Sequence, residues 1–195
     1  LGVSVPLGLA AATIATAAGL TLGAVAALRR NKLPDRLIMA ATTAFVSMPS
    51  FIIGTFLLYL FAIELPILPA NGAMAGGRIL PIVTLALYPT AYITRLTRSS
   101  MLDVLGQDYI RTARAKGLKE RVVINKHAFR NTLIPLVTSM AGLLPSLFSG
   151  AIITEQVFDL PGIGNIALDA MNRGDIPFIM GYNMFLALLS VLGVL

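Results

Sequence analysis

The sequence predicts an all-α polytopic membrane protein with five transmembrane helices, and three observations carry that expectation. Hydrophobic residues make up 56% of the chain and charged residues only 12%, against about a quarter charged in ordinary soluble domains. Five apolar stretches approach or exceed the roughly twenty residues that a helix needs to cross a bilayer. The basic residues fall on alternate connections between those stretches, the pattern set by the positive-inside rule. With no cysteine in the chain, disulfides, thiolate metal sites and cysteine nucleophiles are excluded.

Residues 1–195 read as a single transmembrane domain. The first span covers about 5–28, from Val5 to Leu28. It is too long for a signal peptide, and no small-residue cleavage site follows it. Ala15, Gly19, Gly23 and Ala27 recur every four residues, giving a small-residue face on which another helix can pack closely. The chain starts at Leu1 without Met and ends inside an apolar run, so it is expected to be an excerpt of a longer protein.

The second span is expected over about 37–63, and carries Thr42, Thr43, Ser47, Ser50 and Thr55. The third runs from Ile79 to Thr94 and reaches spanning length by extending to about residue 97; Thr84 and Thr90 lie on it. The fourth covers about 131–154, with a second small-residue stripe at Gly142, Ser146 and Gly150, and the fifth covers about 176–195, with Asn183. Pro49, Pro81, Pro89, Pro135 and Pro145 are expected to kink or begin helices. Ser47, Ser50, Thr84 and Asn183 are candidates for lining a translocation path, although such mild polarity equally serves helix–helix hydrogen bonding.

Arg29, Arg30, Lys32 and Arg36 follow the first span, and nine of the fifteen Lys and Arg residues lie between Arg95 and Arg130. Those two connections are therefore expected to be cytoplasmic, including residues 98–130, and the loop 155–175 extracytoplasmic. That outer loop is acidic, with Glu155, Asp159, Asp169 and Asp175. Its Gly162-Ile-Gly164 follows no strand, which sets aside a dinucleotide fingerprint; a tight reversal and a short helix over Ile166 to Met171 are expected instead. Because the cations sit between apolar spans, the net charge of +6 points to membrane topology and not to nucleic acid.

The spans contain no Asp, Glu, Lys, Arg or His up to Thr94 in the third, whereas ion-coupled carriers place ionisable groups at mid-membrane. His127 is the sole histidine and has no companions at metal-ligand spacing. No phosphate-binding loop and no nucleophile–base set is present, so no ATP hydrolysis and no other chemistry is expected of this chain, and no cofactor. The central stretch carries the information instead. Asp108 is placed as an N-cap, Tyr109 to Lys116 as a short helix, and Gly117 as its left-handed stop; a second polar helix is expected from Lys119 to about Phe129.

Arg111-Thr-Ala-Arg-Ala-Lys-Gly117, preceded by Asp108-Tyr109-Ile110 and followed by His127-Ala-Phe-Arg-Asn131, resembles the EAA loop of binding-protein-dependent ABC importer permeases. The likeness is to the first permease subunit of the dipeptide, oligopeptide and nickel branch. It extends through Asn131-Thr-Leu-Ile-Pro135, Gly150-Ala-Ile-Ile-Thr-Glu155, Phe158 and Pro161-Gly-Ile-Gly164, with Arg111 where the wider family has glutamate. The resemblance implies the type I importer permease core, embedded in the inner (cytoplasmic) membrane as a multi-pass protein. It also implies a second homologous permease subunit, two cytoplasmic ATP-binding subunits and an extracytoplasmic solute-binding protein as partners. Asp108, Tyr109, Arg111, Ala113, Arg114, Ala115, Lys116 and Gly117 would then form the ATPase-coupling helix. Peptides are the leading substrate class, with nickel chelates and glutathione as alternatives. An autonomous ion-coupled carrier or channel, and a membrane enzyme using Glu155 or Asp159, are the competing readings.

Overall fold

The computed structural model describes residues 2–141 and 151–194, and every regular element among them is helical. Two long helices form the frame: α1, Ser4–Leu28, and α4, Ile79–Leu105. Between them lie α2, Leu33–Ser47, and α3, Ser50–Leu58, which runs on through a π-helical turn over Tyr59–Glu64. Beyond α4 come α5, Asp108–Ala115, and a longer helix that starts as α6, Glu120–Val122, widens to π geometry over Val123–Phe129 and continues as α7, Arg130–Ala141. The described part of α8 is 151–157. The chain closes with α9, Ile163–Arg173, and α10, Ile176–Val194.

The five-span expectation does not hold. Among the described residues only α1 and α4 are long and apolar enough to cross a membrane, or three spans if α2 and α3 are taken together. The region expected to be a straight second span is broken: α2 stops at Ser47, Met48 and Pro49 are extended, and α3 leaves at 102° to α2. Pro49 has no N–H to continue the α2 ladder, and its carbonyl instead accepts the N–H groups of Ile52 and Ile53 as α3 begins. The fourth expected span falls partly on 142–150, outside the described residues, which also removes Gly142, Ser146, Gly150 and Pro145 from view; the described part of α7 is Arg130–Ala141. In α10 the qualifying apolar stretch, Ile176–Val191, is shorter than a span. Pro89 and Pro135 lie inside helices that continue past them.

α1 and α4 run side by side in the same direction, Gly19 opposite Ile93 and Gly23 opposite Thr97. A Cβ on Gly19 would lie 2.6 Å from the Ile93 Cβ, and one on Gly23 2.5 Å from the Thr97 Cβ and 2.6 Å from the Thr94 carbonyl oxygen. Without side chains at these positions the two backbones meet, and Ala11, Ala15, Ala26, Ala27, Ala91 and Ile93 are buried along the same seam. The remaining core gathers Leu7, Leu80, Leu85, Leu136, Phe158 and Leu160. The connection 65–78 is tied to that core, where the Gly72 N–H donates to the Phe158 carbonyl and the Asn71 amide to the Asp159 carboxylate.

At the α1–α2 turn, Asp35 is buried and accepts both Nε (2.6 Å) and Nη2 (2.8 Å) of Arg98 on α4, with the Asn31 N–H as a third donor at 2.8 Å. The fork geometry satisfies both carboxylate oxygens where water is scarce. Asn31 adopts a positive φ of 62° to point its N–H at Asp35, a conformation asparagine tolerates better than most residues.

Replacing Gly23 by Leu is expected to force α1 from α4 and lower stability by about 1–3 kcal/mol. The check is a thermal unfolding midpoint in detergent, with Gly181→Leu, where an added Cβ meets nothing, leaving the midpoint unchanged.

Candidate functional site

The polar stretch after α4 folds into a small knuckle with its own core. Ile110 and Ala113 on α5 are buried against Val123 and Ala128 of the π-widened segment, with Val104 and Leu105 from the end of α4 beside them. Two helices of this length are not stable alone, so this cluster is what holds the knuckle together. Ala113 is thus small in order to pack inward, while Ala115 is exposed.

The N-cap of α5 is Gln107, one residue earlier than expected, with Asp108 as the first helical residue. Gln107 is extended (ψ 151°), and its carbonyl accepts the Ile110 and Arg111 N–H groups. Asp108 still places negative charge at the helix N-terminus, 3.5 Å from Arg111 on the exposed face. At the other end the Leu118 N–H reaches the Ala113 carbonyl and the Gly117 N–H the Arg114 carbonyl, the paired bonds of a Schellman stop. It requires the left-handed backbone of Gly117, whose φ is 75°.

Arg114 spans the turn to Glu120, with Nη2–Oε1 at 2.7 Å and Nε–Oε2 at 3.2 Å. The guanidinium holds the Glu120 carboxyl below the usual carboxylate range, and the carboxylate raises Arg114 in return. Tyr109 is anchored by the Asn131 amide, 3.1 Å from its hydroxyl. The expected helix over 119–129 is mostly π. Its widened turn leaves the His127 and Ala128 carbonyls to accept the side chains of Asn131 (2.9 Å) and Thr132 (2.9 Å). Lys116 forms no ion pair among the described residues, so the outward chemistry of the knuckle is cationic: Arg111, Lys116, Arg121 and Lys126 are all exposed.

A second polar centre sits around Glu155, which the sequence marked as an acidic outer-loop residue without revealing its partners. Its side chain is 1% exposed, accepts the Ser4 hydroxyl of α1 at 2.5 Å and the Asn165 N–H at 3.1 Å, and Ser4 in turn accepts the Ile163 N–H at 2.9 Å. The carboxylate therefore lies over the N-terminus of α9, where free N–H groups and the helix dipole favour an anion. This explains Gly162 and Gly164, since a Cβ at either would collide with the Glu155 carboxylate. α9 begins at Ile163, three residues before the expected Ile166, because this cap starts it early. It ends on Gly174, after which Asp175 receives the Phe178 N–H at 3.2 Å and starts α10.

The candidate path residues are not brought to one cavity among the described residues. Thr84 is buried and its hydroxyl donates to the Leu80 carbonyl; Ser47 and Ser50 flank the bend between α2 and α3; Asn183 is exposed on α10 and donates to the Ile179 carbonyl. Asp35 and Arg98 were not singled out by sequence reasoning. The available signal was a lone acid among four cations in the α1–α2 connection, although its partner 63 residues away has no local signature.

Two outcomes follow. Glu155→Ala leaves the Asn165 N–H and the Ser4 hydroxyl without their acceptor, and should lower the detergent unfolding midpoint by the equivalent of about 2 kcal/mol. For Glu120, a folded-state pKa below its unfolded value means the Arg114 pair contributes fully above about pH 4.3 and is lost as pH falls through the folded value. Both groups are about half exposed, so the contribution is under about 1 kcal/mol. Amide exchange at Gly117 to Lys119 should rise on acidification, and Glu120→Gln should remove that pH dependence.

Comparison with known proteins places this geometry. The model of the binding-protein-dependent transport system inner membrane component family matches residues 19–195. The chain is 42% identical over 191 residues to the dipeptide transport system permease protein DppB of Bacillus subtilis, covering 97% of this chain and 62% of that protein. It is 41% identical over 175 residues to the glutathione transport system permease protein GsiC of Escherichia coli, covering 89% of this chain and 57% of that protein. The chain thus spans about three fifths of the length of these relatives. A crystal structure of an amino acid ABC transporter with histidines superposes with a TM-score of 0.75 at 14% identity, covering 99% of this chain and 88% of that one, which shows the shared fold. The chain belongs to the family of binding-protein-dependent transport system inner membrane components.

Proposed function

We propose that this chain is the permease part of an ABC importer for di- or oligopeptides or a related small solute. It forms the path with a second homologous permease subunit, takes solute from an extracytoplasmic binding protein and is driven by two cytoplasmic ATP-binding subunits. The chain itself performs no chemistry. It lies in the cytoplasmic membrane as a multi-pass protein, with residues 98–130 inside the cell. Substrate class is carried over from the names of the relatives, one a dipeptide and one a glutathione permease. The single observation that supports the reading most is the knuckle: a compact, cationic projection joined to the end of a membrane-length helix, in the part of the chain that matches the family.

In this reading α5 is the coupling helix, and Asp108, Tyr109, Arg111, Ala113, Arg114, Ala115, Lys116 and Gly117 serve it in different ways. Ala115, Arg111 and Lys116 face outward toward an ATPase groove. Ala113, Tyr109, Gly117 and the Arg114–Glu120 pair hold the helix in shape. Gly19 and Gly23 set the α1–α4 spacing about which the bundle moves. Ser47, Ser50, Thr84 and Asn183 contribute to the path through rearrangement or through the second subunit.

Gly117→Val, a branched residue at positive φ, should reduce ATP-driven solute uptake about ten-fold or more, within the range of typical coupling energies, while leaving the amount of protein in the membrane unchanged. Arg114→Glu should do the same, and the charge swap Arg114→Glu with Glu120→Arg should restore uptake. Normal uptake by Gly117→Val would overturn the coupling role. Solute uptake into liposomes by the permease without ATPases, driven by an ion gradient, would favour an autonomous carrier.

A further inference from the structure

α1, α2 and α4 enclose a groove of about 360 Å³ lined by Leu22, Leu37, Ile38, Ala41, Phe45 and Leu87, with Thr42, Thr90 and Ala91 at its floor. Its surface is almost wholly carbon. The Thr42 hydroxyl is turned back to the Met39 carbonyl at 3.0 Å, so it offers nothing to a polar occupant. Leu22 and Leu37 at the rim are 39% and 61% exposed. From Leu37 to Phe45 the groove follows α2 for about 12 Å, at 1.5 Å per residue.

The mouth of the groove adjoins the α1–α2 turn, where Leu37 directly follows Arg36. That turn presents Arg29, Arg30, Lys32 and Arg36, all exposed and none in an ion pair among the described residues. The one carboxylate of the turn, Asp35, is fully engaged by Arg98 and the Asn31 N–H. It forms no ion pair with any of the four cations, and only Arg30 among them acts on its charge through space. An apolar slot as long as part of an acyl chain thus opens beside uncompensated positive charge at the end of a membrane-length helix. Basic residues at such a position attract anionic headgroups, and a chain of methylenes gains by filling an apolar groove.

We propose that this groove holds one acyl chain of an anionic phospholipid whose phosphate is bound by the cations of the α1–α2 turn. The two halves of the site answer the two halves of the ligand, which a topology signal alone does not require. Thr90 and Ala91 on the floor lie two to four residues from Ile93 and Thr94, where α4 meets Gly19 and Gly23. A bound chain therefore presses on the seam between the frame helices.

The test uses the full-length permease, purified, delipidated and examined by native mass spectrometry after addition of phosphatidylglycerol or phosphatidylcholine with the same acyl chains. One phosphatidylglycerol should be retained in preference to phosphatidylcholine. Arg29→Gln with Arg30→Gln should weaken it roughly ten-fold or more, given the attraction of each cation to an anionic surface. Ala41→Trp, which fills the groove without changing charge, should abolish retention, and Leu37→Asn at the exposed rim should weaken it should Ala41→Trp fail to fold. Equal retention of the two lipids overturns the proposal, as does unchanged retention in the charge variant. Retention that survives both groove variants overturns it too, leaving only a surface ring of lipid. A cysteine crosslink placing a helix of another subunit in the groove does the same.

Discussion

The close passage of α1 along α4 is the constraint on which the rest of the fold depends. Lipid tails are as apolar as leucine, so helices in a bilayer gain little from simply hiding hydrophobic side chains from one another. They gain from contact area, and contact area at a backbone distance demands residues without bulk. Gly19 and Gly23 meet Ile93 and Thr97 with no room for a Cβ, and the alanines of the same seam continue the contact. α2 then packs against both α1 and α4, and α3 and α7 pack against α4.

Polar groups locate this frame at both ends of α1. Near its start the Ser4 hydroxyl joins Glu155 and the N-terminus of α9; just past its end, Asp35 joins Arg98. Each is a buried carboxylate whose oxygens are all engaged, the condition under which a charge is tolerated away from water. Shifting the helices would separate Arg98 from Asp35 and Ser4 from Glu155, so these contacts favour one registry of the helices over its neighbours. The Gly162-Ile-Gly164 sequence, which has the look of a nucleotide loop, serves here to let the protein's own carboxylate approach a helix terminus.

Local signals in the sequence translated well into structure, and long-range ones did not. The α5 stop at Gly117 was legible because one glycine at a left-handed position suffices to encode it. The helical class was legible from apolar length. The count of spans was not, because a run of apolar residues has the same composition whether it is straight or folded back on itself at Met48 and Pro49. The start of α9 was missed by three residues because its cap comes from Glu155 and Ser4, the latter 159 residues away from the N–H it receives. Ala113 illustrates the same limit at the site: its size is visible in the sequence, but the direction it faces is decided by Val123 and Ala128.

α4 has a further property that follows from its length alone. At 27 residues it extends about 40 Å, and it runs without interruption from the core around Leu80 and Thr84 to the cluster formed by Val104, Leu105 and Ile110. A stiff rod of that length is a lever, and a tilt of roughly 10° about one end carries the other through about 7 Å. A small rotation at the polar tip would therefore be carried by this one helix into a displacement as large as a side chain at the opposite face.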